Sequence, residues 1–167
     1  MSLDLAEIGD TTGNPLDILE ELIGANEWPY QRVSDDELVL EVAGRWADYH
    51  LFFLWRAELS GLHFSCAINA RIPAHKRRDT ADLLAIVNES LWLGHFDMCS
   101  REHIPMFRHT VPLRGQRTAS VEQLEDLVDT GLSECERFYP ALHLVIWGGR
   151  DPSDAVATAM LDTVGEA

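Results

Sequence analysis

The chain has 167 residues, 46% of them hydrophobic, and a formal net charge of -15 from 28 acidic against 13 basic residues. This length suits one domain around one core, and five tryptophans at this apolar content exclude a disordered chain. An acid excess of this size repels phosphate backbones, so nucleic acid is excluded as a partner class and basic partners are favoured.

Residues 1–13 read as a leader, acidic and without the basic start of a secretion signal. Asn14-Pro15 opens a helix: Asn caps it, Pro fits the first helical position, and Leu19, Leu22 and Ile23 form an apolar stripe. Gly24 lies just past the expected end. From Trp28 the period changes to two. Tyr30–Val33 is a short strand, and Ser34-Asp35-Asp36 turns it. Leu38, Leu40 and Val42 then alternate with acids, and Gly44 breaks the chain. Tyr49, Leu51, Phe53 and Trp55 share one face of a third strand. Ser60-Gly61 turns it, and Leu62, Phe64, Cys66 and Ile68 line a fourth whose other side is polar.

Pro73 ends this meander, and a helix is expected from His75 to Leu93, stopped by Gly94. A hairpin follows, His95–Ser100 and Ile104–Val111, turning near Glu102-His103. Ser120-Val121-Glu122-Gln123 is a capping box, and Val121, Leu124, Val128, Cys135, Phe138 and Leu142 form the stripe of the helix it opens. Pro140 is expected to kink or end that helix. Gly148-Gly149 stops it, and Asp151-Pro152 opens a last short helix to about Leu161. The pattern predicts an α+β fold in which helices cover an antiparallel sheet, in the order α-ββββ-α-ββ-α-α, as one domain over residues 14–167.

No pattern points to catalysis. A Gly-x-Ser-x-Gly elbow is absent, and Cys66 falls on the core side of its strand, where a thiol is inert. Cys66, Cys99 and Cys135 are odd in number and widely spaced, which fits packing in a reducing compartment. No stretch approaches the roughly 20 apolar residues of a membrane span. The expectation is a cytoplasmic protein, not an enzyme, without membrane attachment, cofactor or metal. Seven histidines raise the metal question. On a strand His95, Asp97 and Cys99 would share a face, and His109 would approach from the paired strand. Neither Cys-x-x-Cys nor His-x-x-x-His spacing occurs, so a small-ligand or metal-sensing domain on the His95–His109 hairpin is the alternative reading. Glu122, Glu125, Asp126 and Asp129 make a solvated helix face. Large aromatics at element ends suit protein contact, and Trp46, Trp55, Phe107 and Trp147 are the candidate anchors. Leu91, Trp92, Leu93 and Phe96 are more apolar than one helix end requires, and they are the candidate dimer interface.

Several phrases of the chain are similar to a known family. Gly44-Arg45-Trp46, Leu62-His63-Phe64-Ser65-Cys66, Leu91-Trp92-Leu93-Gly94-His95-Phe96, Pro105-Met106-Phe107-Arg108-His109, Glu134-Cys135-Glu136-Arg137-Phe138-Tyr139-Pro140 and Trp147-Gly148-Gly149 resemble the YbjN family of bacterial sensory transduction regulators. The resemblance covers about residues 14 to 167 and carries no catalytic residues with it. The order of elements also resembles the type III secretion chaperone fold. That likeness implies a small, acidic, cytosolic homodimer binding extended segments of partner proteins. The helix after Gly149 goes beyond the simplest chaperone plan.

Overall fold

The computed structural model describes residues 12–164. Its elements are α1 (Pro15–Ala25), β1 (Tyr30–Ser34), β2 (Glu37–Ala43), β3 (Asp48–Arg56), β4 (Gly61–Ile68), α2 (Arg77–Asn88), β5 (His95–Met98), β6 (Pro105–Pro112), α3 (Val121–Ile146) and α4 (Pro152–Val164). The six strands form one antiparallel sheet in the order β1-β2-β3-β4-β6-β5. The α+β expectation and its element order are thereby met.

Alternation along each strand sets which face is covered. Leu38 pairs with Phe53, Phe53 with Phe64, and Phe64 with His109, so one row of side chains crosses four strands on the helix side. Leu38, Leu40, Phe53, Phe64, Cys66, Ile68, Leu84 and Val128 are all buried, as their periodicity requires. Packed against them, α3 crosses β4 and β6, α1 lies on β3, and α2 and α4 complete the layer. Phe64 sits so close beneath α3 that a Cβ on Gly131 would fall 2.5 Å from its ring. On the outer face Phe52 and Leu54 remain exposed.

The helix boundaries depart from expectation in three places. The helix expected over 75–93 occupies only Arg77–Asn88, preceded by a 3-10 turn at Ala74–Lys76. Asn88 ends it, because its amide donates to the Phe96 carbonyl at 3.0 Å and accepts the Phe96 N–H at 2.6 Å. This side chain supplies the backbone of β5 instead of continuing the turn. Second, α3 does not stop at Pro140. Proline removes only the N–H that would return to the Glu136 carbonyl, and burial of Ala141, Leu142, Val145 and Ile146 holds the next turns in place. Third, α4 reaches Val164.

The end of α1 has a definite geometry. Glu27 N–H bonds the Gly24 carbonyl at 3.1 Å and Trp28 N–H bonds the Ile23 carbonyl at 3.3 Å, with Glu27 at φ 56°. This is the Schellman arrangement, in which a left-handed residue lets the chain reverse and sets Trp28 against the helix. Glutamate carries a Cβ penalty in that conformation that glycine lacks. Glu27→Gly is therefore expected to stabilise the protein by about 1 kcal/mol in urea unfolding, with no change in the slope of the transition.

Candidate functional site: an exposed aromatic ladder

The β2–β3 hairpin presents Trp46 to α3. Gly44 N–H closes the turn on the Ala47 carbonyl at 2.9 Å, and Arg45 N–H donates to Glu136 Oε1 at 2.8 Å. Only glycine fits at 44, because a Cβ there would overlap the Glu136 carboxylate and the Tyr49 ring. Tyr49 is fully buried beneath this turn, its hydroxyl without a hydrogen bond of good geometry. Burial, and then the neighbouring Glu136 carboxylate, push its phenol well above the ordinary range, so it stays neutral.

Fixed in this way, Trp46 stacks on Tyr139 of α3 with ring centroids 6.4 Å apart and planes 6° from parallel. The row continues along the helix at spacings of four. Tyr139 meets His143 at 6.5 Å, and His143 meets Trp147 at 5.1 Å. The Arg45 guanidinium lies 4.8 Å over the Trp46 ring. Four rings thus form one ladder, with Trp46 46% and Trp147 54% exposed. Wide, preoriented ring faces with polar edges gain on desolvation by a partner and accept cations over their faces.

Of the four anchors expected from sequence, Trp46 and Trp147 meet in this ladder. Trp55 and Phe107 are corrections. Both point to the helix side of the sheet and are buried, Trp55 opposite Leu62 and Phe107 opposite Cys66 and Phe96. No partner reaches them without unfolding the sheet. The candidate dimer patch is also divided. Trp92 is 72% exposed, and Leu91 and Leu93 are half-buried against the core. Phe96 is a correction: it is buried, edge-on to Phe107 and Phe138. Tyr139, His143 and Arg45 belong to the ladder and were not singled out from sequence. The legible signal for two of them is the spacing Tyr139, His143, Trp147 along one helix.

The His95–His109 hairpin does not assemble a ligand set. His95 pairs with Arg108 and Asp97 with Met106, which puts His109 on the opposite side of the sheet from both. Asp97 is engaged with Arg108 at 3.1 Å and with the Met98 N–H at 2.7 Å. Among the described residues no three His, Cys, Asp or Glu side chains converge. Cys66 and Cys135 are buried with sulfurs 3.6 Å apart, so two cysteines far apart in sequence meet in the core. Burial and the adjoining Cys66 push the Cys135 thiol up, which removes its nucleophilicity.

His109, half-buried on the helix side of β6, has its pKa held below 6.5 by burial and by His95. The folded protein resists protonation there while the unfolded chain accepts it. Stability contributed by the neutral ring is complete above the unfolded value and declines as pH falls through it toward the folded value. Acidification below about pH 6.5 is therefore expected to lower the midpoint of thermal unfolding. His109→Gln should make that decline shallower, as measured by calorimetry across pH 7 to 5.

Among the described residues no helix is long and apolar enough to cross a membrane. The fold is similar to that of the YbjN crystal structure from E. coli, with a TM-score of 0.52 at 13% identity, over 78% of this chain and 87% of that one. It is also similar to the crystal structure of the ExsC–ExsE complex, with a TM-score of 0.50 at 12% identity, over 73% of this chain and 88% of that one. The architecture is thus shared with a chain of the ExsC–ExsE complex. No curated protein matches in sequence. Residues 15–144 match the YbjN family, described as "Putative bacterial sensory transduction regulator". The chain belongs to the YbjN family.

Proposed function

We propose that this protein is a non-enzymatic protein-binding module, chaperone-like or regulatory, working in the bacterial cytoplasm. The observation that carries the reading is the exposed ladder of Trp46, Tyr139, His143 and Trp147. Trp46 is held in water by a glycine turn and a backbone-to-carboxylate bond, and Trp147 stands exposed at the end of α3, although the same chain buries Trp55 in its core. Membership of a regulator family supports the reading, as does a fold shared with a protein solved in complex with ExsE. The ladder takes apolar or cationic side chains of the partner, and the acidic surface speeds encounter with basic ones. The test is quantitative capture from native extract with the wild type and with Trp46→Ala/Trp147→Ala. A partner retained by the wild type and lost by the folded variant supports the function. Equal recovery by both removes the ladder from it.

The same reading includes a homodimer centred on Trp92, with Leu91 and Leu93 at its edge. Light scattering at micromolar concentration is expected to give twice the 18.8 kDa chain mass. Trp92→Ala is expected to weaken the dimer by about 2 kcal/mol without lowering thermal stability of the monomer. A monomer mass for the wild type would remove the dimer.

A further inference from the structure

A second surface lies away from the ladder. Between α1 and α3 runs an open groove of about 210 Å³. Its floor is apolar: Ile23 is buried, Leu22 and Trp28 are half-buried, and Val128 closes the α3 side. Its rim on α3 carries Glu125 and Asp129, both exposed, and no basic residue lines it. Trp28 is held there by the reversal of the chain at Glu27, so the groove is built by the fold and does not depend on a mobile side chain.

The charge around the groove is one-sided. The neighbouring face of α1 already engages a guanidinium: Arg32 donates to Glu20 at 2.8 Å and to Asp17 at 3.3 Å. Those carboxylates are thereby compensated, whereas Glu125 and Asp129 have no ion pair with any described lysine, arginine or histidine. An apolar floor with an uncompensated acidic rim excludes an acidic partner and selects a segment with the opposite pattern. A second copy of this chain, at a net charge of -15, is a poor match for that rim.

We infer that the α1–α3 groove binds a short basic-apolar segment of a partner protein, seating an apolar side chain between Leu22, Trp28 and Val128 with lysine or arginine on Glu125 and Asp129. This inference rests on the protein-binding reading and assigns that partner a chemistry. The groove has room for one or two side chains, so the expected ligand is a linear segment.

The probe is a labelled 12-residue peptide with a Leu-Phe pair flanked by lysines and arginines, followed by fluorescence anisotropy against the full chain. Saturable binding is expected, weakened on the order of tenfold when salt rises about tenfold. Glu125→Lys/Asp129→Lys is expected to weaken it by about tenfold or more. The control is Asp82→Lys on α2 with Glu89→Lys at its C-cap, which changes net charge equally and leaves the groove intact; it should bind nearly as the wild type does. Leu22→Ser should also weaken binding, and circular dichroism confirms that each variant is folded. Absence of saturable binding, or equal loss in the α2 control, overturns the groove. Either result, with capture by the ladder intact, leaves the protein-binding reading standing. Loss of the ladder's partner dependence with specific peptide binding retained sinks the ladder and keeps the groove.

Discussion

Phe107→Ala is expected to destabilise the protein by about 3–5 kcal/mol, more than truncation of any of the exposed aromatics. Phe107 is fully buried on β6, edge-on to Phe64 at 6.3 Å and to Phe96 at 5.7 Å. Its surroundings are shaped to it. A Cβ on Gly94, which sits at φ 67°, would overlap its ring, and a Cβ on Gly131 would fall 3.4 Å from it. Deleting the ring leaves a void that the sheet and α3 cannot close without moving β6. Against a typical total of roughly 5–15 kcal/mol, the loss is a large share of stability. At about 2–4 °C per kcal/mol, the unfolding midpoint should fall by about 10 °C. Phe52→Ala, on the outer face of β3, is the comparison and should cost well under half as much, because that ring is already exposed. A small loss at Phe107, with a loss of partner capture, would return it to the role of a surface anchor.

The second large effect is on binding. Trp46→Ala and Trp147→Ala should each weaken partner binding by about 2 kcal/mol or more, roughly thirtyfold. Each removes a wide apolar face that water leaves when a partner docks. Their effects should not add, because both rings belong to one continuous row through Tyr139 and His143. Stability should change little, since both rings are about half in solvent. Arg45→Ala should act in the same direction and more weakly, by removing the cation that lies over Trp46. Calorimetric titration of the captured partner, beside thermal unfolding of each variant, separates the two contributions.

The parts of this fold legible in the sequence are those that local periodicity decides. Alternation placed Leu38, Phe53, Phe64 and Cys66 on one face because strand side chains have a period of two. The capping box at Ser120 is realised, with Ser120 and Gln123 exchanging bonds at 2.9 and 3.1 Å. Features that depend on distant partners were not legible. Asn88 ends α2 by bonding to Phe96, a strand residue that helix periodicity does not see. Pro140 fails to end α3 because tertiary burial outweighs the lost backbone bond. Trp55 shares its strand face with Tyr49, Leu51 and Phe53, so alternation marks it as core, and naming it an anchor weighed its size and its place at a strand end above that pattern. The limit set by distant partners applied to the site. The ladder itself joins a hairpin turn to a helix far along the chain, and Glu136, by holding Arg45 N–H, brings them together.

Hydroxyl-radical footprinting of the tryptophans, with and without the captured partner, tests the central claim most directly. Trp46 and Trp147 are exposed and oxidisable in the free protein, whereas Trp55 is shielded by the core and Trp92 by the proposed dimer seam. Binding through the ladder predicts that adding the partner protects Trp46 and Trp147 together and leaves Trp92 unchanged. Both ladder tryptophans remaining as reactive in the complex as in the free protein would contradict it.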